Sequence, residues 1–379
     1  MNIIKTMFFL SILLTLSQGC AQIQKEEKEL PQEALNDTIV LMDFFREHKK
    51  VDSILEATFR AMSPKLRIAQ VLMPATGRLG KPKEQIIENI KDSIIGGVLM
   101  LNGTKDQFTL WIQEFDSLIV NTHGIPFLYS ADAEPSLVNR KINGSTPVKF
   151  ANQIDSIEEV DRVAKSISKD LNDIGINYNF APVVDMSPNK TVGFRSFGKN
   201  PENIVPWSAQ FIKTTQDHNI LATAKHFPGH GLVSGDTHKS LQVINGSLKE
   251  IKNYPPLIED SVLSIMVAHI AVQNNEKYST KGLPATCSEK IVTKLLKEEL
   301  GFKGLVVTDA MNMGGVISVP NHNVKAINAG CDIILMPLDA KKAHKELSDE
   351  YAKNPEFQQK IDAAAKKIIR MKICLGLIR

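Results

Sequence analysis

Cysteine is scarce in this chain. Its 379 residues include four, Cys20, Cys287, Cys331 and Cys374, and no two form a Cys-x-x-Cys pair. Such spacing argues against a disulfide framework and against a structural zinc site, both of which need clustered thiols. Cys331 lies in the apolar run Cys331-Asp332-Ile333-Ile334-Leu335-Met336 and reads as a buried free thiol. Net charge is slight, +3 from 45 Lys and Arg against 42 Asp and Glu. No segment gathers a basic stripe, so no nucleic-acid partner is expected. No Gly-x-Gly-x-x-Gly follows the first strand-like run, and no cofactor is expected. No apolar run reaches the ~20 residues of a membrane span.

What is present begins with an export signal. Lys5 supplies a short positive region, and Met7 to Leu16 form an uncharged apolar stretch. It ends in Ser17-Gln18-Gly19-Cys20. That ending resembles the lipobox of bacterial lipoproteins, in which the Cys is acylated, although Ser17 stands where the pattern prefers Leu. The expectation is a lipoprotein signal peptide over 1–19, lipidation of Cys20, and a tether over 20–50. The tether is rich in Gln, Lys and Glu, with a short helix near Leu41–Glu47. The protein would then be exported and held to a membrane through its lipid, on a periplasmic face or the cell surface.

From residue 51 onward, β-favouring apolar runs alternate with amphipathic helical stretches. The strand candidates are Ile68–Met73, Gly97–Leu101, Pro126–Ser130, Ile176–Ala181, Leu221–His226, Ser264–His269, Gly304–Thr308 and Asp332–Met336. Helical patterns separate them over Glu84–Ile94, Phe108–Val120, Ile157–Ile174, Ile204–His218 and Ser288–Leu300, and a closing helix is expected within Ile361–Arg379. This alternation predicts an α/β fold, a single (β/α)8 TIM barrel filling 51–379. Functional groups in such a barrel sit at the C-terminal ends of strands. The polar residues at those places are Asp132, Arg140, Asp185, Arg195, Lys225, His226, Asp236, His238, His269 and Asp309.

Asp309 ends the run Leu305-Val306-Val307-Thr308-Asp309. A carboxylate there can attack an anomeric carbon, or it can simply cap the following helix. In Lys225-His226-Phe227-Pro228-Gly229-His230-Gly231, the Lys and His can donate to hydroxyls and the glycines permit a tight loop. Further on comes Asp236-Thr237-His238, in which an Asp can orient an imidazole whose other nitrogen faces a substrate. The three histidines could also be structural or ligate a metal. Their spacing does not match a helical His-Glu-x-x-His, and no metal is expected.

Together the Lys225–Gly231 run, Asp236-Thr237-His238 and the strand ending in Asp309 resemble glycoside hydrolase family 3, in its β-N-acetylglucosaminidase branch. The resemblance covers roughly 51–379. It implies an exo-acting, retaining enzyme that releases terminal β-linked N-acetylglucosamine, from peptidoglycan fragments before chitin-type chains. Asp309 matches the nucleophile, His238 the general acid/base and Asp236 its partner. Lys225 and His226 match sugar-hydroxyl ligands, Arg195 an arginine that seats the substrate, and Asp132 and Arg140 a pair that binds outer hydroxyls. The segment Asp132-Ala133-Glu134-Pro135-Ser136 departs from the family's Asp-x-Glu-Gly-Gly. A phosphorylase using the same site and a non-catalytic, lipid-anchored glycan-binding protein are the alternatives. The expected partner is a glycan, and the expected state is a monomer.

Overall fold

The computed structural model describes residues 38–186, 189–197 and 201–379. The expected signal peptide, the lipidation site Cys20 and residues 20–37 of the expected tether lie outside the described residues.

Among the described residues, nine short strands build the main sheet and its closing pair: β1 (Leu72–Met73), β2 (Ala75–Thr76), β3 (Gly97–Met100), β4 (Leu128–Ala131), β5 (Tyr178–Asn179), β6 (Leu221–Phe227), β7 (Ser264–Val267), β8 (Leu305–Thr308) and β9 (Ile334–Leu335), and four others form two separate two-stranded pairs. Strands β2 to β8 form one seven-stranded sheet in sequence order. All its pairings are parallel. Strand β1 pairs in parallel with β9, and Val307 on β8 bridges to Ile333 just before β9. Pro74, which has no N–H to donate, separates β1 from β2. The result is a curled parallel sheet. Its strands are buried almost throughout, as expected when helices cover one face and packed side chains fill the other.

The helices follow local chemistry. Helix Ile157–Ile174 starts at Ser156, whose hydroxyl accepts the Glu159 N–H at 3.2 Å, and stops at Gly175 with φ of 95°. Its apolar stripe, including Val160, Ala164, Ile167 and Leu171, is buried. Each of the larger ones, Val160, Ile167 and Leu171, contributes about 1.5–3 kcal/mol by leaving water. The closing helix runs over Pro355–Cys374, with Asn354 as its cap.

Three expectations change. The first strand does not begin at Ile68: a helix spans Pro64–Gln70, started by Ser63 accepting the Leu66 N–H and by Pro64 in its first turn. Ile68 is buried from that helix rather than from a strand. The folded unit also starts at Ile39 rather than at 51. A 3-10 turn, Leu41–Phe45, buries Leu41 and Phe44, and Arg370 donates to the carbonyls of Asp43 and Phe44 at 2.8 and 2.9 Å. Helix Lys49–Ala61 follows. The segment expected as Ser288–Leu300 is helical over Lys290–Glu299, but in the π register. Cys287, Cys331 and Cys374 are buried free thiols. Among the described residues no helix is long and apolar enough to cross a membrane.

Candidate active site

The C-terminal strand ends surround a cleft of about 490 Å³. Asp132, Arg140, Arg195, Lys225, His226, His238 and Asp309 all line it. Asp236 does not. It stands behind His238, with Oδ1 at 2.7 Å from the His238 Nδ1 and 3.0 Å from its backbone N–H. A carboxylate there accepts the Nδ1 proton and leaves Nε2 to exchange a proton with whatever occupies the cleft. The side chain of His238 is 61% exposed, so the pair sits at the mouth.

The floor is an ion network. Lys225 ends up inside because β6 carries it there, and its ammonium is 2.8 Å from Asp132 Oδ1 and 2.6 Å from Glu134 Oε1. Arg195 grips Glu134 with two bonds, Nε to Oε2 at 2.8 Å and Nη2 to Oε1 at 2.7 Å. Burial alone would raise the Glu134 carboxyl, yet Arg195 and Lys225 outweigh it and hold it at about 2. Asp132 is likewise held well below the carboxylate range by Lys141 and Lys225, against its burial. The same carboxylates raise Lys225 above the ordinary lysine value. Every charge on this floor is therefore kept, and Asp132 reaches the cleft as an acceptor.

A second buried pair holds His226. Its Nδ1 lies 2.6 Å from Asp185 Oδ2, which leaves Nε2 directed elsewhere. Asp309 follows β8, where the Ala310 N–H donates to its Oδ1 at 2.8 Å. Burial pushes its carboxyl up, but His226, His269, that N–H and His238 together bring it below the usual value, so it is an anion. His269 is spent on structure. Its Nε2 donates to the Ala310 carbonyl at 3.0 Å, so its Nδ1 accepts from Thr286 at 2.9 Å. Burial lowers this imidazole below its ordinary value, against the pull of Asp309.

Asp132 and Arg140, the pair expected to bind outer hydroxyls, both line the cleft but from different surroundings. Asp132 takes Lys141 at 2.5 Å, while the Arg140 guanidinium lies 6.0 Å from the Phe194 ring at the exposed rim. Glu134 and Lys141 were not among the expected site residues. The Asp132-x-Glu134 spacing was the available signal, since alternate residues of an extended chain share a side. Among the described residues no three His, Cys, Asp or Glu side chains gather as a metal cluster.

The fold is thus a curled parallel sheet with an anionic Asp at one strand end and an Asp-oriented His facing the same cleft. Residues 64–371 match the glycosyl hydrolase family 3 N terminal domain, and the chain belongs to that family. It is 33% identical over 239 residues to beta-hexosaminidase A of Pseudoalteromonas piscicida, an overlap of 56% of this chain and 40% of that protein. It is 28% identical over 305 residues to a beta-N-acetylglucosaminidase/beta-glucosidase of Cellulomonas fimi, covering 75% of this chain and 53% of that one. The solved family 3 beta-N-acetylglucosaminidase of Paenibacillus sp. str. FPU-7 superposes with a TM-score of 0.77 at 27% identity, over 84% of this chain and 63% of that one. The chain thus spans less than two thirds of the length of these relatives.

Proposed function

We propose that this protein is a retaining, exo-acting β-N-acetylglucosaminidase, in which the curled sheet closes as a (β/α)8 barrel through the β1–β9 pair. The observation that carries this reading is that Asp309 and His238 line one cleft, the first as an anion and the second oriented by Asp236. Asp309 attacks the anomeric carbon while His238 gives its proton to the departing oxygen. The neutral imidazole then takes a proton from water, and the hydroxide displaces Asp309 from the sugar. Lys225, Asp132 and His226 meet the hydroxyls of the sugar held in the cleft, and Arg195 fixes Glu134 beneath them.

The names of the relatives support N-acetylglucosamine as the released sugar. The leaving group in this reading is a muramic-type sugar of peptidoglycan fragments, released outside the cytoplasm by an enzyme anchored through Cys20. Product analysis on a muropeptide mixture beside chitobiose, with and without phosphate, tests it. Free N-acetylglucosamine with net retention is expected, and Asp309→Ala should abolish it. Near wild-type turnover by Asp309→Ala would sink the mechanism, and a sugar 1-phosphate as main product would replace hydrolysis by phosphorolysis. Cys20→Ala should release the protein from membranes into the soluble fraction.

A further inference from the structure

The loop that ends in His238 leaves β6 at Pro228, and two buried carboxyls hold its start. Asp185 accepts the backbone N–H of His226 and, at 2.8 Å, that of His230. Glu250 lies in the 3-10 turn Lys249–Asn253 and is 3% exposed. Its Oε1 accepts from Met186 at 2.6 Å and Gly231 at 3.2 Å, and its Oε2 from Leu232 at 3.2 Å. Three successive N–H groups, 230 to 232, therefore converge on two carboxyls, a concave arrangement suited to holding negative oxygen.

The backbone is pressed onto this clamp. A Cβ at Gly229, where φ is +131°, would come 2.5 Å from Glu250 Oε2, and one at Gly231 would come 1.5 Å from the Met186 carbonyl oxygen. Neither position has room for a side chain. Beyond Leu232, Asn189 continues the hold. Its N–H donates to Gly231 and its side-chain amide donates to the carbonyls of Val233 and Gly235. At the far end, the Gly314 N–H meets the His238 carbonyl at 3.0 Å and the Gly315 N–H meets that of Thr237 at 3.1 Å. Glu250 itself does not line the cleft. Burial and the charge of Asp185 raise its carboxyl to about 8 against the pull of its three donors. A proton on Oε2 still leaves Oε1 as acceptor for two of them.

We propose that Glu250 is a positioning residue for proton transfer. By clamping the N–H groups of Met186, Gly231 and Leu232, it sets where the loop delivers His238 at the mouth of the cleft that holds Asp309. The inference rests on His238 as the acid/base of the proposed function. The loop is 61% exposed at that histidine and receives no other buried carboxyl along 231–238 among the described residues. Loss of the clamp would let the imidazole sample positions away from the departing oxygen, and such misplacement lowers the rate rather than sugar binding.

The leaving group separates this role from mere stability. A dinitrophenyl N-acetylglucosaminide departs without a proton, whereas a β-linked disaccharide needs one. Glu250→Ala should lower kcat/KM on the disaccharide about tenfold more than on the dinitrophenyl substrate. Glu250→Gln, which keeps Oε1, should recover most of that difference. His238→Ala in the same assay is the control. If His238→Ala loses equally on both substrates, the acid/base reading has failed and this inference with it. If His238→Ala discriminates and neither Glu250 variant does, the clamp alone is overturned. Failure of Glu250→Ala to fold moves the test to Glu250→Gln, for which a threefold discrimination is expected. Failure of that variant also to fold would make Glu250 a residue of stability only.

Discussion

Lys225 and Glu134 reach each other from separate strand ends and meet at 2.6 Å, both buried, with Asp132 and Arg195 completing the square. One ammonium serves two carboxylates. Removing one partner of a buried pair leaves uncompensated charge, which costs about 3 kcal/mol or more. Lys225→Met should lower unfolding stability by that order at pH 7, read from urea denaturation with an unchanged m-value. The pH sign follows from Glu134, held at about 2 in the fold against an ordinary 4.5. Its contribution is complete above about pH 4.5 and is lost as pH falls toward 2. The gap between wild type and variant should therefore narrow on acidification, and a gap that widens would contradict the network.

His238 depends on Asp236 in a different way, because the pair is exposed and adds little to stability. Asp236→Asn keeps a side chain of the same shape but no longer a carboxylate to hold the Nδ1 proton. Turnover on an unactivated substrate should fall by orders of magnitude, up to about 10⁴-fold, the size found where Asp→Asn leaves a catalytic histidine in the wrong tautomer. The melting temperature should stay within a degree or two. An unaltered kcat would remove Asp236 from the mechanism.

Positions along strands were easier to read than partners across them. Asp309 and Lys225 lie where the hydrophobic runs end, because a parallel strand buried on both faces is an apolar run that stops where the mouth begins. Helix Ile157–Ile174 was legible to the residue, since Ser156 and Gly175 are strong local signals. The Pro64–Gln70 helix was not, because Ile68 to Met73, apolar but for Gln70, suits either conformation and Ser63-Pro64 decides the outcome. Residues 39–48 looked like tether by composition, and the burial of Leu41 and Phe44 together with Arg370, more than three hundred positions away, ties them down. The ion pair of Lys141 with Asp132 is of the same kind: it turns on where the Val138–Lys141 helical turn points its side chains.

Arg195 holds Glu134 with two parallel bonds, a geometry that a lysine cannot copy. Arg195→Lys keeps the charge and loses the fork. The floor beneath the sugar should loosen, raising KM and lowering kcat/KM by about tenfold, while the protein remains folded. Equal kinetics in the two proteins would show that charge alone suffices at this position.

The last prediction concerns a lysine remote from the cleft. Lys372 is fully buried, and its ammonium donates to Gln70 Oε1 at 2.6 Å and to the Gly96 carbonyl at 2.9 Å. Both acceptors are neutral, and burial lowers this lysine to about 7 from an ordinary 10.5. Below about pH 7 the folded state carries the full cost of a buried charge. Between 7 and 10.5 the unfolded chain binds more protons than the folded one, so stability should rise with pH by up to about 1.4 kcal/mol per unit. Lys372→Met is similar in length and cannot titrate. Its stability at a single pH is a poor test, because Gln70 and Gly96 lose a donor, which costs about 1–3 kcal/mol by itself. The trend is the test. Wild type should gain on Lys372→Met steadily from pH 7.5 to 9.5 in denaturant titrations, and parallel curves over that range would mean that Lys372 keeps its proton in the fold.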